Sequence, residues 1–166
     1  MHAAAQRGVY VVFNPAPAVA IPESAYKDID TLVLNESEAI IMAGVADTTS
    51  DGDQDLHSRN SALARKFLAK GVKDCVVITL GGAGLVYVTA KGATGTVAAR
   101  KVKVVDTTAA GDTFVGAYAV ERATRGGQGF NHAKALEFAT RAASRTVERR
   151  GAMDAIPYRS EIEGVA

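Results

Sequence analysis

Short unbroken apolar runs alternate along this chain with longer stretches in which apolar residues recur every three or four positions. Residues 8–13 (Gly-Val-Tyr-Val-Val-Phe) form such a run and read as a buried, central strand of the parallel type. Residues 31–34 and 74–80 read the same way. Residues 85–88 follow after only Gly81-Gly82-Ala83-Gly84, too short a link for a helix, so the pair reads as a hairpin. A further strand is predicted at 96–100, and 101–105 is a β-like run leading into a small-residue turn. The helical pattern appears at 23–29, from Asn35 through Ile40 to Met42, at 58–70 up to Gly71, at 114–125, and from the cap Asn131 to about Val147. Strands alternating with helices predict one α/β layered domain over 1–166.

Composition narrows the picture by exclusion. A formal net charge of +1 gives no basic face for nucleic acid or a membrane surface. No run reaches transmembrane length, and residues 1–8 hold no signal-peptide core, so a cytoplasmic protein is expected. The single cysteine, Cys75, sits in an apolar run and reads as a core thiol, in keeping with a reducing compartment. Asp47, Asp51, Asp53 and Asp55 hint at a calcium loop, but Leu56 and Ala62 stand where glycine and glutamate are needed, so the stretch reads as a solvated loop. His2, His57 and His132 lack a nucleophile or metal partner in the sequence pattern and receive no role.

Candidate chemistry concentrates at Asp106-Thr107-Thr108-Ala109-Ala110-Gly111-Asp112-Thr113-Phe114. Small residues at a helix start leave backbone N–H groups, of Ala109, Ala110, Gly111 and Asp112, to face one space at the positive end of the helix dipole, which suits an anion. Asp112 stands in the first turn beside that space, where a carboxylate can take a proton from an attacking hydroxyl. Ordinary helix capping explains the same residues equally well. Two further stretches carry the same ambiguity. Asn35 and Glu38 form a capping box, or face phosphates with Glu38 holding a hydrated magnesium ion. Thr79 and the glycines 81, 82 and 84 make a hairpin turn, or admit a ligand close to the backbone.

Taken with Asn14-Pro15-Ala16-Pro17-Ala18 and Arg149-x-Gly151-Ala152, these motifs resemble, in order and spacing, the ribokinase family of ATP-dependent sugar kinases. The resemblance implies a three-layer, Rossmann-like fold with a mostly parallel sheet and helices on both faces. It implies Asp112 as general base and Ala109, Ala110, Gly111 and Asp112 as the anion hole. Asn35, Thr79, Gly81, Gly84, Gly111 and Thr140 would bind ATP, with Thr140 standing where a histidine often meets the adenine. Glu38 would organise Mg2+ through water. Asp106 and Thr108, with carbonyls near Thr146, Arg149 and Gly151, would hold a monovalent cation such as K+, with Ala155 in place of a serine ligand. The implied reaction is phosphorylation of D-ribose at its primary hydroxyl, with fructose or a nucleoside as alternative substrates. Only the second half of the family pattern is represented, without the sugar motifs or the β-sheet lid. The chain is therefore expected to be truncated at its N-terminal side and to pair with a second copy or a separate first half. A non-catalytic nucleotide-binding remnant is the other reading.

Overall fold

The computed structural model describes residues 1–45, 56–127 and 129–164. Asp47, Asp51, Asp53 and Asp55 of the acidic stretch lie outside the described residues. The chain divides into two compact units, Met1–Thr96 and Val97–Ala166.

The first unit is built on a sheet of five strands in chain order: β1 (Val12–Phe13), β2 (Thr31–Asn35), β3 (Cys75–Thr79), β4 (Leu85–Thr89) and β5 (Thr94–Val97). β1, β2 and β3 are mutually parallel, and β3 and β4 form the expected antiparallel hairpin. The mixed, mostly parallel sheet is of the α/β class the pattern predicts. Four consecutive residues at the start of β2 and of β3 are buried, which is why these strands read as continuous apolar runs rather than alternating ones. Cys75 is fully buried, and burial pushes its thiol up, so it is a protonated core side chain. Among the described residues the α-helices α1 (His2–Ala5), α2 (Glu36–Ala43) and α3 (Leu56–Ala69) accompany the sheet. Leu63, Ala64 and Phe67 on one face of α3 join Val76, Ile78, Val86 and Val88 in the core.

The expected strand at 8–13 contracts to β1, a half-buried edge strand rather than a buried central one. Its first part is held by side chains instead of a ladder. The Val11 N–H donates to the Asp30 carboxylate at 2.8 Å, and the Tyr10 hydroxyl donates to Asp74 at 2.7 Å. The strand expected at 96–100 starts two residues earlier, as β5. The β-like run 101–105 is not a strand. The N–H groups of Val105 and Asp106 both donate to the carbonyl of Val147, at 2.8 and 3.2 Å, and the side chains of Val104 and Val105 are exposed.

The second unit pairs α4 (Ala110–Arg125) with α5 (His132–Thr146) and adds α6 (Arg159–Glu163), which the pattern did not signal. The Asn131 side chain caps α5, accepting the Lys134 N–H at 3.0 Å. Tyr118 of α4 is fully buried and its hydroxyl meets His132 Nδ1 at 3.0 Å, which gives that histidine a structural place. Ala117, Phe138, Ala142 and Ile162 pack where α6 meets the helix pair. Glu121, also buried, is paired with Arg159 at 2.9 Å and Arg125 at 3.3 Å. Among the described residues no helix is long and apolar enough to cross a membrane.

Candidate active site

In the first unit the predicted residues gather at the carboxyl ends of β2 and β3. Asn35 closes β2 and stands beside Thr79, the last residue of β3, in the parallel register. Such strand ends are where open α/β sheets place ligands. Both halves of the capping box form: Asn35 Oδ1 accepts the Glu38 N–H and Glu38 Oε2 accepts the Asn35 N–H, each at 2.8 Å. The cap therefore occupies one oxygen of each side chain. It leaves the Asn35 amide group and the second Glu38 oxygen as the atoms with capacity for a ligand. Thr79 donates its hydroxyl to the Leu34 carbonyl at 3.3 Å. The turn beyond it closes through the Leu80 N–H and the Gly84 carbonyl at 2.7 Å. Gly81 and Gly84 have φ of +55° and +90°, so the turn itself requires glycine there.

In the second unit the residues from Asp106 to Asp112 wrap the start of α4. Asp106 Oδ1 accepts both the Thr108 N–H at 2.9 Å and its hydroxyl at 2.7 Å, while Oδ2 accepts the Gly151 N–H at 3.1 Å. These donors, the Thr108 hydroxyl foremost, hold the Asp106 carboxyl down at about 2. The side chain is thus an anion fixed from three directions. Gly151 is brought to it directly. Arg149 is tied to Thr146 through the Arg149 N–H and the Thr146 carbonyl at 3.1 Å. The set expected to hold a monovalent cation is therefore linked in two groups, Asp106–Thr108–Gly151 and Thr146–Arg149. An ionised, fixed carboxylate is a hard-oxygen ligand of the kind that suits such an ion.

Ala109 precedes α4 with φ of +61°, the sole non-glycine residue in the left-handed region among the described residues. That conformation costs about 1–3 kcal/mol. It also replaces the side-chain cap that a Gly-Asp-Thr start suggests: no side chain caps α4. The Ala110 N–H donates to the Thr107 carbonyl at 3.3 Å, and the Ala109 carbonyl accepts from Thr113 at 2.9 Å. Among the described residues no backbone hydrogen bond takes the N–H of Gly111 or Asp112. Both residues are exposed, and a Cβ added to Gly111 meets nothing within 4 Å. Below this turn a buried hydrogen bond of 3.0 Å joins the Thr146 and Thr113 hydroxyls and ties the start of α4 to the end of α5. Sequence pattern gave no signal for that pair or for the Ala109 conformation. Thr140, on α5, has its Oγ1 buried with no hydrogen-bond partner among the described residues.

A family model described as pfkB family carbohydrate kinase matches residues 1–159. The chain belongs to that family. It is 40% identical over 159 residues to the ribokinase of Schizosaccharomyces pombe, covering 96% of this chain and 47% of the relative. Among solved structures, the ribokinase of Arabidopsis thaliana complexed with ribose and ATP matches with a TM-score of 0.82 and 30% identity, over 98% of this chain and 49% of that one. The ribokinase of Thermotoga maritima matches with a TM-score of 0.78 and 36% identity, over 98% and 50%. The chain thus spans about half the length of the relatives it matches.

Proposed function

We propose that this chain carries the phosphoryl-transfer machinery of a ribokinase, moving the γ-phosphoryl group of ATP to the primary hydroxyl of D-ribose. The observation that carries the reading is Gly111. A glycine inside a helix costs about 1 kcal/mol against alanine, yet its backbone has no positive φ and its missing side chain would touch nothing. Gly116 further along α4 is as open, so what sets Gly111 apart is its place: exposed at the start of α4, its N–H has no backbone partner among the described residues and is available to a ligand that approaches closely. The strained Ala109 beside it points the same way, because backbone strain collects at functional sites.

The N–H groups of Gly111 and Asp112, at the positive end of α4, hydrogen-bond the transferring phosphoryl oxygens. The sugar hydroxyl oxygen attacks the γ-phosphorus, the bond to the β-phosphate oxygen breaks, ADP leaves, and the hydroxyl proton passes to the Asp112 carboxylate. In the first unit the Asn35 amide donates to a phosphate oxygen, and Thr79 and the turn at Gly81–Gly84 line the nucleotide. Glu38 would hold a hydrated Mg2+, which would neutralise phosphate charge. The Asp106 carboxylate, with carbonyls near Thr146, Arg149 and Gly151, would hold a monovalent cation, which would supply positive charge to the site. The Arabidopsis relative with ribose and ATP supports this choice of substrates.

Because the chain spans about half of its relatives, nucleotide binding without transfer is the second reading. Gly111→Ala tests both. A methyl group there leaves the melting temperature unchanged or slightly raised, while ribose phosphorylation falls on the order of 10²-fold as the phosphoryl group is displaced. A wild-type chain that binds ATP and never phosphorylates ribose supports the second reading instead.

A further inference from the structure

We propose that the second unit carries a separate anion site, taking a phosphate group, in the cleft between residues 100–102 and α5. The cleft is open and has a volume of about 80 Å³. Arg100, Lys101, Arg141 and Arg145 line it, with Glu148 as the one carboxylate. The whole chain has a net charge of only +1, so this is a local concentration of positive charge and not a share of a basic surface.

Elsewhere in this unit Arg159 pairs with Glu121 and Glu163, Arg125 with Glu121, and Arg149 with Glu161. In the cleft only Arg145 is matched, by Glu148 at 3.0 Å. Among the described residues no carboxylate pairs with Arg100, Lys101 or Arg141. Arg141 is the most telling of them. Its guanidinium carbon lies 5.7 Å from the centre of the Phe138 ring, and its Nε is buried with no hydrogen-bond partner among the described residues. A buried guanidinium N–H is rarely left unmade, and a planar fork held against an aromatic ring suits a tetrahedral oxyanion. Ser144 does not compete for the ligand as a donor, since its hydroxyl already donates to the Arg141 carbonyl at 2.7 Å. A phosphate here bridges 100–102 to α5 by charge-assisted hydrogen bonds. Either inorganic phosphate or the phosphate of a monoester offers that chemistry.

The site shares none of these cleft residues with the proposed nucleotide and sugar groups, so it can be tested apart from them. The full chain is titrated calorimetrically with inorganic phosphate, and in a second arm with glycerol phosphate, at fixed ionic strength. The tighter ligand identifies the source. Saturable binding is expected, weakened about 10-fold by Arg141→Gln and several-fold by Lys101→Gln, and unaffected by Asp112→Asn or by saturating ATP. Lys101 is exposed, so its variant reports on charge without disturbing the fold. Absence of saturable binding overturns the proposal, as does binding that both variants leave intact. Displacement of phosphate by ATP also overturns it, because the anion then sits in the nucleotide site. Phosphate binding by a chain that fails to bind ATP leaves this site standing and removes the kinase reading.

Discussion

The carboxylate of Asp106 accepts the backbone N–H of Gly151 at 3.1 Å, across 45 residues of sequence. Its other oxygen is held by Thr108. One side chain thereby fastens the loop before α4 to the loop after α5. This explains how a turn made almost wholly of small residues keeps a defined shape.

The same contact sets an acid dependence. The Asp106 carboxyl sits at about 2 in the folded chain, below its ordinary 3.8. A folded value below the unfolded one means the stabilisation is present above about pH 4 and is lost as pH falls towards about 2. Glu161, held down chiefly by its hydrogen bond from Arg149, acts in the same direction. Denaturation midpoints measured across this range should fall with pH, and Asp106→Asn should flatten part of that slope.

Ala109 should respond to substitution opposite to an ordinary helix-start residue. Glycine adopts a φ of +61° without steric cost, so Ala109→Gly should leave stability within about 0.5 kcal/mol or raise it. Ala109→Val should lose about 1–2 kcal/mol, because a β-branched side chain is worse still in the left-handed region. Urea denaturation of the two variants checks the contrast.

The hydroxyl pair under the turn should show coupling. Thr146→Val leaves the buried Thr113 hydroxyl without its 3.0 Å donor and should cost about 1–3 kcal/mol. Adding Thr113→Val removes the stranded group and should cost less than the two single losses combined. A double-mutant cycle by thermal denaturation measures the difference.

Much of the first unit was legible because its signals are local. The apolar runs at β2 and β3, the glycine-rich link to β4, the amphipathic α3 ending before Gly71 and the Asn35–Glu38 box each state their structure within a few residues. The Asn131 cap of α5 was equally plain. The 101–105 run was misread because β-branched residues register only a fit to a pleated surface, and a strand also needs a neighbour to bond. There the Val147 carbonyl takes the two N–H groups instead. The run at 8–13 was overextended for a related reason, since Asp30 and Asp74 capture polar groups that a ladder was expected to use. At the candidate site the motif showed which residues gather at the start of α4 but not how they are held. Alanine prefers the right-handed region, so nothing local announces Ala109. The Asp106–Gly151 and Thr113–Thr146 bonds join residues too far apart in sequence for any short pattern to record.

Asp112, as proposed, takes the proton in a phosphoryl transfer carried by this chain. This role is tested most directly by following ribose phosphorylation by the purified protein with ATP, Mg2+ and K+, against Asp112→Asn. Turnover is expected to drop by about 10²–10⁴-fold in the variant while ATP binding is retained. Equal turnover by the two proteins, or none by the wild-type chain, would contradict it.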